Sequence, residues 1–322
     1  MKVALDVSPL RLTRAGSARY VEGLRRELPK HVELHELAWG GSGRGTAALR
    51  DAIWYPVGLR RASRGADVLH CPTFRAPLRS PVPLVVTVLD LAVLRHPELF
   101  NRWNRTYSKL TVPRVVREAR RVVAISEFTK GELVELLDVD PGKVTVIGVP
   151  PLVEFSPEGP RAEGDYVLAV GTVEPRKNLE RAAEAAARAG VELRVVGARG
   201  WGGVSPNGVR WLGEVGDDEL ARLLRGARAL VYPSLYEGFG IPILEAMSVG
   251  TPVVTSRGGA TEEVAGGAAV LVEPLDPASI TTGIDAADRR RDELRELGLA
   301  RARSFSWDDV ARRTVEVYEA AL

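Results

Sequence analysis

Cysteine is almost absent from the sequence, and its scarcity limits the kinds of site that the chain can build. Cys71 is the only cysteine among 322 residues. One cysteine excludes an intramolecular disulfide framework and any zinc site made of several thiolates. We therefore expect Cys71 to be a small buried residue of the core rather than a functional one.

Long hydrophobic runs are also absent. The most apolar stretch, Pro83 to Leu94, is interrupted by Asp90, and no run approaches the roughly 18 consecutive apolar residues that span a bilayer. The chain opens on Met1-Lys-Val-Ala-Leu-Asp-Val, a strand pattern without the charged and apolar regions of a signal peptide. We expect a cytoplasmic protein that is not integral to a membrane and whose contact with the inner membrane face, where it occurs, is peripheral.

The first loop lacks the fingerprint of a dinucleotide enzyme. Only Gly16 stands where Gly-x-Gly-x-x-Gly would follow the first strand, which weakens a dehydrogenase interpretation. A metal motif is equally weak. Asp138-Val-Asp140 has the spacing of a metal-binding Asp-x-Asp, but it follows a predicted helix and precedes Pro141-Gly142, which favours a turn.

Charge of either sign is not in large excess over the whole chain, yet the two halves differ. Residues 1–155 hold 24 Lys and Arg against 16 Asp and Glu, and the remainder holds 20 against 26. The basic half suits phosphate binding, and it equally suits a sequence rich in arginine. No basic run is interleaved with aromatics in a known nucleic-acid-binding motif, so we expect no nucleic-acid partner.

What the sequence does contain is enough apolar material for two cores. A length of 322 residues exceeds what one core usually organises, and 45% of the residues are apolar. The proline-rich stretch Pro150–Pro160 predicts a linker. We expect an α/β protein with doubly wound parallel sheets, divided into domains at 1–158 and 159–304, with a final helix in 305–322.

The N-terminal half begins as a Rossmann-like domain. Lys2–Ser8 is predicted as a strand, and Tyr20, Val21, Leu24 and Leu28 at helical spacing predict a helix over 18–28. His70 stands near the end of another predicted strand, where a functional role competes with that of a satisfied core residue. A β-branched strand then ends at Asp90, which places this carboxylate at the ligand-binding edge of the sheet.

A basic helical segment is predicted over 101–121, bent at Pro113. Seven arginines and lysines alternate there with Trp103, Leu110 and valines. A solvated charged face over a core stripe accounts for this pattern. Contact with an anionic membrane or with a lipid-diphosphate acceptor is the alternative.

The stretch 230–256 carries the strongest functional signal. Leu230–Tyr232 predicts a buried strand, Pro242 a helix start, Gly250 its end and Val253 the next strand. Helix N-terminal amides behind a glycine loop attract phosphate oxygens. Glu237 and Glu245 bracket the loop as candidate acceptors for sugar hydroxyls. Strand–loop–helix units with glycine also occur in any doubly wound protein, so spacing alone leaves both interpretations open.

The residues of this stretch resemble those of a known family. Glu237-Gly-Phe-Gly-Ile-Pro-Ile-Leu-Glu245 is similar to the E-x7-E signature of retaining glycosyltransferase family 4, which has the two-domain GT-B fold. Further stretches follow in the family's order, namely Gly171-Thr-Val-Glu-Pro-Arg-Lys-Asn178, Trp211-Leu-Gly-Glu-Val-Gly-Asp-Asp-Glu-Leu220, 263–274 and Phe305-Ser-Trp307. The subgroup that the chain resembles most is the mannosyltransferase-like branch that builds polysaccharides.

The resemblance implies a role for each matching residue. Glu245 would bind ribose hydroxyls, Glu237 a hydroxyl of the donor sugar, and Arg176 with Lys177 the departing diphosphate. The catalytic set implied is Asp90, Glu237, Arg176 and Lys177. Further donor contacts are expected at Gly16, Val215, Gly238, Phe239, Gly240 and Ile241.

The implied reaction moves a hexose, with mannose from GDP-mannose as the expected case, to a glycan, lipid-linked or small-molecule acceptor in a cleft between two domains. No metal and no cofactor are expected. The final helix is expected to cross back onto the N-terminal domain.

Two alternatives remain at this stage. A nucleotide-sugar epimerase shares the GT-B fold, although its acid–base histidine and carboxylate set is not evident. A non-catalytic donor-binding subunit is the other, because Leu89-Asp90 stands where the family usually has His-Asp. Asp90 and His70 are candidates to compensate for Leu89.

Overall fold

The chain forms two compact units. The structure is a computed structural model that describes residues 1–12, 16–41, 43, 46, 49–100, 102–153 and 155–322. Unit 1 contains Met1–Leu152 together with Ser306–Leu322, and unit 2 contains Val153–Phe305. The chain therefore leaves unit 1 once and returns to it in its last residues.

Unit 1 is built on a sheet of six parallel strands in the order β2-β1-β3-β4-β5-β6. The strands are β1 (Lys2–Asp6), β2 (Glu33–Leu37), β3 (Val68–Cys71), β4 (Leu84–Val88), β5 (Arg121–Ala124) and β6 (Val144–Val146). The helices are α1 (Gly16–Glu27), α2 (Leu59–Ala62), α3 (Ala92–Arg95), α4 (Arg102–Glu118) and α5 (Glu127–Leu137). Every residue of β4 is buried, as expected for a continuous β-branched run in a parallel sheet.

Unit 2 repeats this architecture with a sheet in the order β12-β11-β10-β7-β8-β9. Its strands are β7 (Tyr166–Val170), β8 (Glu192–Val196), β9 (Val209–Gly213), β10 (Leu230–Tyr232), β11 (Val253–Ser256) and β12 (Val270–Val272). Its helices are α6 (Leu179–Arg188), α7 (Asp217–Gly226), α8 (Ile241–Ser248), α9 (Gly259–Ala265), α10 (Pro277–Arg289) and α11 (Arg291–Arg303). The predicted pair of doubly wound parallel sheets is confirmed.

Local differences from the predicted elements are small, with one exception. The basic segment forms helix α4, which contains Pro113, and it ends before β5. The exception is a π-helical segment at Arg50–Gly58 with Pro56 inside it, for which the sequence predicted no element. π-Helical turns are rare, and their i→i+5 hydrogen bonds give a period that a search for 3.6-residue spacing does not detect.

The last helix, α12 (Trp307–Glu319), completes the core of unit 1. Its Tyr318 hydroxyl lies 2.7 Å from His70 Nδ1, and His70 Nε2 lies 2.9 Å from Thr87 Oγ1. Thr87 is also 3.1 Å from the Tyr20 hydroxyl of α1. All four side chains are buried, so this polar network joins two helices to the central strands of the sheet.

Candidate active site

The candidate site is built from loops that leave the carboxyl ends of β7 and β10. After β7 the chain makes a short 3-10 turn at Pro175–Lys177, and after β10 it runs through 233–240 into α8. Leu235 N donates to the Arg176 carbonyl at 2.7 Å and joins the two loops. Ligands of open α/β sheets bind at this edge, where the loops of parallel strands meet.

Two glycines allow these loops to pack closely. Gly171, at the end of β7, has φ +138°, and a Cβ there would lie 3.1 Å from Lys177 Cε. Gly197, at the end of β8, has φ +146°, and a Cβ there would lie 2.0 Å from the Gly171 carbonyl oxygen. Only glycine combines these backbone angles with so close an approach. The Lys177 side chain can therefore cross the end of the sheet.

Arg176 and Lys177 converge on one carboxylate, that of Glu237. Arg176 Nη1 lies 2.6 Å from Glu237 Oε2, and Lys177 Nζ lies 2.5 Å from Glu237 Oε1. The side chains of Lys177 and Glu237 are each 9% exposed. Because both side chains are buried, solvent and salt screen this ion pair much less than they screen an exposed one. The structure thus brings three of the predicted site residues into direct contact.

The electrostatics of this contact hold Glu237 in its charged form. Burial raises the pKa of Glu237, but the adjacent Lys177 and Arg176 charges outweigh it and hold that pKa at about 2. Burial lowers the pKa of Lys177, and the Glu237 carboxylate opposes that shift. The Tyr232 hydroxyl donates to Glu237 Oε1 at 2.9 Å and accepts from Lys177 Nζ at 2.6 Å. Glu237 is therefore an anion that is fixed from three sides.

Three residues of the site were missed by the sequence predictions. Glu174 is buried, and its Oε1 lies 2.6 Å from Arg176 Nε, so Arg176 is held between two carboxylates. Tyr232 is the second, because its hydroxyl bonds both Lys177 and Glu237. Asn178 donates from Nδ2 to the carbonyls of Pro233 at 3.0 Å and Pro274 at 2.6 Å, which ties the loops after β7, β10 and β12 together.

Of these three residues, only Asn178 has a conformational preference that the sequence could have revealed. Asn178 has φ +57° directly before α6, and asparagine is one of the few non-glycine residues that adopts this left-handed conformation. Glu174 lies in the family-like stretch Gly171–Asn178, but neither it nor Tyr232 shows a local pattern that identifies its contacts. Those contacts form only when the loops after β7 and β10 fold.

The loop into α8 has the predicted form. Gly240 has φ +116° and precedes the helix, Pro242 lies in its first turn, and Gly250 follows its end with φ +77°. Gly238 and Phe239 are buried, and the Phe239 ring packs edge-to-face on Phe305 with centroids 5.9 Å apart. The backbone between Glu237 and the helix is thus held rigidly.

The remaining donor-side predictions lie along α8 and beside β9. Ile241 is the half-buried first residue of α8, and Glu245, one turn further, is only 3% exposed. Val215 is half-buried in the short loop 214–216 between β9 and α7. All of these residues belong to unit 2.

The other two predicted site residues belong to unit 1. Gly16 is the exposed first residue of α1, and the preceding loop residues 13–15 lie outside the described residues. Asp90 follows β4, and its Oδ1 accepts from Ala92 N at 3.1 Å at the start of α3. Leu89 beside it is half-buried.

The hypothesis that His70 compensates for Leu89 is wrong. His70 is fully buried, and both of its ring nitrogens are engaged by Tyr318 and Thr87. Burial lowers its pKa to about 3, so the ring is neutral. His70 therefore belongs to the core of unit 1, and the same holds for the buried Cys71.

The Asp-x-Asp spacing at residues 138–140 forms a turn. Asp138 ends α5 in a left-handed conformation with φ +53°, and Asp140 Oδ1 accepts from Gly142 N at 2.9 Å. In the part of the chain that the structure describes, no group of three or more His, Cys, Asp or Glu side chains is arranged to hold a metal ion.

Helix α4 exposes apolar side chains among its cations. Trp103 is 61% exposed and Leu110 is 52% exposed, and Arg102, Arg105 and Lys109 are exposed around them. Among the described helices, none has the length and apolarity needed to cross a bilayer.

Comparison with known proteins identifies the same kind of enzyme from both units. The family model described as Glycosyltransferase Family 4 matches residues 14–149, and the one described as Glycosyl transferases group 1 matches residues 164–287. O-antigen chain mannosyltransferase B of Escherichia coli is 30% identical over 283 residues, which cover 78% of this chain and 74% of that protein. MMP alpha-(1->4)-mannosyltransferase of Mycolicibacterium hassiacum is 34% identical over 236 residues, which cover 65% of this chain and 56% of that protein.

A solved structure shares the fold at low sequence identity. The crystal structure of Anabaena HepE in complex with UDP-glucose matches with a TM-score of 0.76 and 17% identity, over 98% of both chains. The two parallel six-stranded sheets with flanking helices are the GT-B architecture that the sequence predicted. Both family models match, and the Escherichia coli relative is 30% identical over most of its length. The chain therefore belongs to glycosyltransferase family 4 and is a glycosyltransferase of the GT-B fold.

Proposed function

We propose that the protein transfers mannose from GDP-mannose to an acceptor hydroxyl, with retention of the anomeric configuration. The observation that carries this proposal is the convergence of Arg176 and Lys177 on Glu237 beside the glycine loop that opens α8. Mannose is the favoured sugar because both relatives described above are named as mannosyltransferases. UDP-glucose is the second candidate donor, because HepE was solved with it.

The two cations would bind the diphosphate of the donor. As the glycosidic bond breaks, negative charge gathers on the leaving diphosphate, and fixed cations stabilise it without having to reorganise. The N-terminal end of α8 adds partial positive charge behind the same loop. Because these groups can neutralise the leaving group themselves, we propose a reaction that requires no metal ion.

Glu237 and Glu245 would bind hydroxyl groups of the donor, on the transferred sugar and on the ribose respectively. Glu237 now accepts hydrogen bonds from Lys177 and Arg176. A diphosphate that takes over part of these contacts would release carboxylate oxygens to accept from a hydroxyl of the transferred sugar. Glu245, buried on α8, would accept from the ribose hydroxyls.

Thermal unfolding with a panel of nucleotide sugars tests the donor. At about 100 times its Kd, a bound donor stabilises the fold by about 2.7 kcal/mol through mass action, which raises the melting temperature measurably. We expect GDP-mannose to give the largest shift and UDP-glucose the next. The proposal fails if no nucleotide sugar shifts the transition.

Transfer of labelled mannose from GDP-mannose to an acceptor, measured with and without a chelator, tests whether the reaction requires a metal ion. Transfer that persists in the chelator supports a metal-independent reaction, and abolition by the chelator contradicts it. Donor binding without transfer to any acceptor would instead identify a donor-binding subunit, and isomerised free nucleotide sugar would identify an epimerase.

We also propose that α4 contacts an anionic membrane surface, which would suit a lipid-linked acceptor. Trp103 and Leu110 lie seven residues apart on one exposed helix face, with arginine and lysine around them. Such a face binds anionic lipid through both apolar burial and charge. Co-sedimentation with phosphatidylcholine vesicles that contain phosphatidylglycerol should fall in Trp103→Ser but not in Trp201→Ser, an exposed tryptophan of unit 2. Equal vesicle binding by the two variants would exclude α4 as the membrane contact.

A further inference from the structure

The glycine loop, residues 237–240, is fixed at its first residue by the contacts of Glu237 with Arg176 and Lys177. Its other residues are Gly-Phe-Gly, so they carry no charge that could anchor the loop. Phe239 has the only large side chain among them, and it is 5% exposed. The contacts of Phe239 and Gly240 therefore bear directly on where the backbone lies between Glu237 and α8.

Phe305 packs on Phe239. The two rings meet edge-to-face with centroids 5.9 Å apart, an arrangement that aromatic pairs favour. Phe305 is half-buried two positions after the end of α11, and its backbone N donates to the Ala302 carbonyl at 3.2 Å. The end of α11 thus places an aromatic ring against the glycine loop.

Arg301, in the last turn of α11, contacts both Phe305 and α9. Its guanidinium carbon lies 4.8 Å from the centroid of the Phe305 ring, within the range of a cation–π interaction. Its Nε donates to the Val264 carbonyl at 2.8 Å, and its Nη2 donates to the Glu263 carbonyl at 2.9 Å. These carbonyls belong to the last turn of α9, where the helix itself supplies no partner. One side chain therefore fixes the Phe305 ring relative to the end of α9.

The backbone after α9 leaves room for this arginine. Gly266 has φ +54°, in the left-handed region that favours glycine, and a Cβ there would lie 2.6 Å from Arg301 Nε. A side chain at residue 266 would therefore displace the guanidinium from the carbonyls that it caps.

Helix α9 also lies against the glycine loop. Gly240 has φ +116°, and a Cβ there would lie 3.7 Å from Thr261 Cγ2 of α9. Thr261 is 3% exposed, and its Oγ1 donates to the Ser256 carbonyl at 3.2 Å, at the end of β11. The loop thus meets the Phe305 ring at one residue and α9 at the next. Arg301 joins these two supports.

We propose that Arg301 and Phe305 are positioning residues, which hold the glycine loop in the conformation that binds the donor. This rests on the proposed function, in which the loop and the first turn of α8 face the diphosphate and the transferred sugar. Both residues act through Phe239 and α9 rather than by touching the donor. A purely structural role would instead lower the stability of unit 2 and leave its affinity for nucleotides unchanged.

Calorimetric titration of the full chain with GDP-mannose and with guanosine tests this inference. We expect Arg301→Ala and Phe305→Ala to raise the Kd of GDP-mannose at least fivefold and that of guanosine less than twofold, because guanosine lacks the groups that the loop would face. Phe305→Leu keeps the apolar bulk without the ring, so it should fold even if Phe305→Ala does not, and it should show the same difference. Arg303→Ala removes the same charge from an exposed position of α11 and should bind like wild type.

Hydrogen exchange of the unliganded chain locates the effect, because exchange reports local opening. Residues 238–245 should exchange faster in Arg301→Ala and Phe305→Leu than in wild type, whereas residues 179–188 of α6, in the same unit, should exchange as before. Unchanged exchange in 238–245, or an equal acceleration in α6, would overturn the inference. Equal losses of affinity for GDP-mannose and guanosine would overturn it as well.

The two measurements separate this inference from the proposed function. If GDP-mannose does not bind wild type, the proposed donor is refuted, and the exchange result decides whether Arg301 and Phe305 hold the loop. If GDP-mannose binds wild type and the variants with the same Kd, the donor stands and the positioning role alone is refuted.

Discussion

Glu237 has two cations as neighbours, and under the proposed function a nucleotide diphosphate would compete with it for them. With Glu174 on the other side of Arg176, the site holds two positive and two negative groups. In the proposed donor complex, an incoming diphosphate would exchange one set of charge-assisted hydrogen bonds for another. Its affinity should depend on the cations far more than the affinity of a nucleoside does.

Replacing Arg176 and Lys177 together by alanine should weaken GDP binding much more than guanosine binding. Each charge-assisted contact contributes about 1.5–3 kcal/mol. Calorimetric titration of both ligands measures the difference. Because the double variant leaves Glu237 without its cations, a triple variant that adds Glu237→Gln separates lost attraction from new repulsion.

Arg188→Ala is the control for these variants, since Arg188 is an exposed residue of α6 that pairs with Glu184. Equal losses for GDP and guanosine in the double variant would place the diphosphate elsewhere.

Leu89 is the clearest departure from the family that the chain resembles. Leucine can neither hydrogen-bond a donor sugar nor support developing charge, as the usual histidine can. We expect Leu89→His to raise the transfer rate with nucleotide affinity nearly unchanged, because the nucleotide would be held by unit 2. Steady-state kinetics with separate donor-binding measurements test this. If Leu89→His leaves the transfer rate unchanged or lowers it, and Asp90→Ala does not lower it either, the end of β4 takes no part in the reaction.

Asp6 should make stability depend on pH. Burial raises its pKa from 3.8 to about 6, against the hydrogen bonds from Ser8. Between about pH 4 and 6 the folded chain binds this proton more tightly than the unfolded chain, so the free energy of unfolding falls as the pH rises through that window. Asp6→Asn removes this cost, which is about 3 kcal/mol above pH 6.

Denaturant unfolding at pH 4 and at pH 7.5 measures this difference. We expect Asp6→Asn to be more stable than wild type at pH 7.5 and nearly equal to it at pH 4. The same difference at both values would show that Asp6 does not titrate in this range.

At the scale of elements, the sequence predicted best where a local pattern determines the structure alone. Strand β4 is a buried, mostly β-branched run, and α8 lies between Pro242 and Gly250 as expected. The π-helical segment was missed because Pro56 and the absence of 3.6-residue spacing conceal it. Contacts such as Tyr232 with Lys177 could not be predicted, because they join residues 55 positions apart through the order of the strands.

Helices α1 and α12 meet at a glycine. A Cβ on Gly23 would lie 2.2 Å from the Trp307 ring, whereas one on Gly131, within α5, would meet nothing within 4 Å. Gly23→Ala should therefore destabilise the fold by about 1–3 kcal/mol through overpacking. Gly131→Ala should stabilise it by roughly 0.5–1 kcal/mol, since alanine is the better helix former. Denaturant unfolding compares the two, and a stabilising Gly23→Ala would mean that α12 does not pack on α1.

At the scale of the whole molecule, unit 1 depends on residues that come after unit 2. Trp307 Nε1 donates to the Pro151 carbonyl at 2.9 Å, Arg313 donates to the Val146 carbonyl at 2.7 Å, and Tyr318 binds His70. Unit 2, by contrast, is one continuous stretch with its own apolar core.

Deletion of residues 306–322 should therefore unfold unit 1 and leave unit 2 able to bind nucleotide. Without α12, His70 loses its Tyr318 partner, and the apolar surface that Trp307 covers becomes exposed. Hydrogen exchange should show loss of protection in residues 1–152 only, and GDP titration should give an affinity close to that of the full chain. Protection lost equally in both units would show that they do not fold independently.

The position of α12 also sets the order in which a ribosome can complete the two units. Residues 1–152 emerge first, yet the helix that closes their core is synthesised only after all of unit 2. Unit 2 is complete in sequence at Phe305, whereas unit 1 still needs the residues that follow, so the usual N-terminal-first order cannot complete unit 1 before all of unit 2 has been synthesised. During translation, unit 1 therefore waits with the Trp307 surface of α1 uncovered, and it is the part of the nascent chain that a chaperone would have to protect.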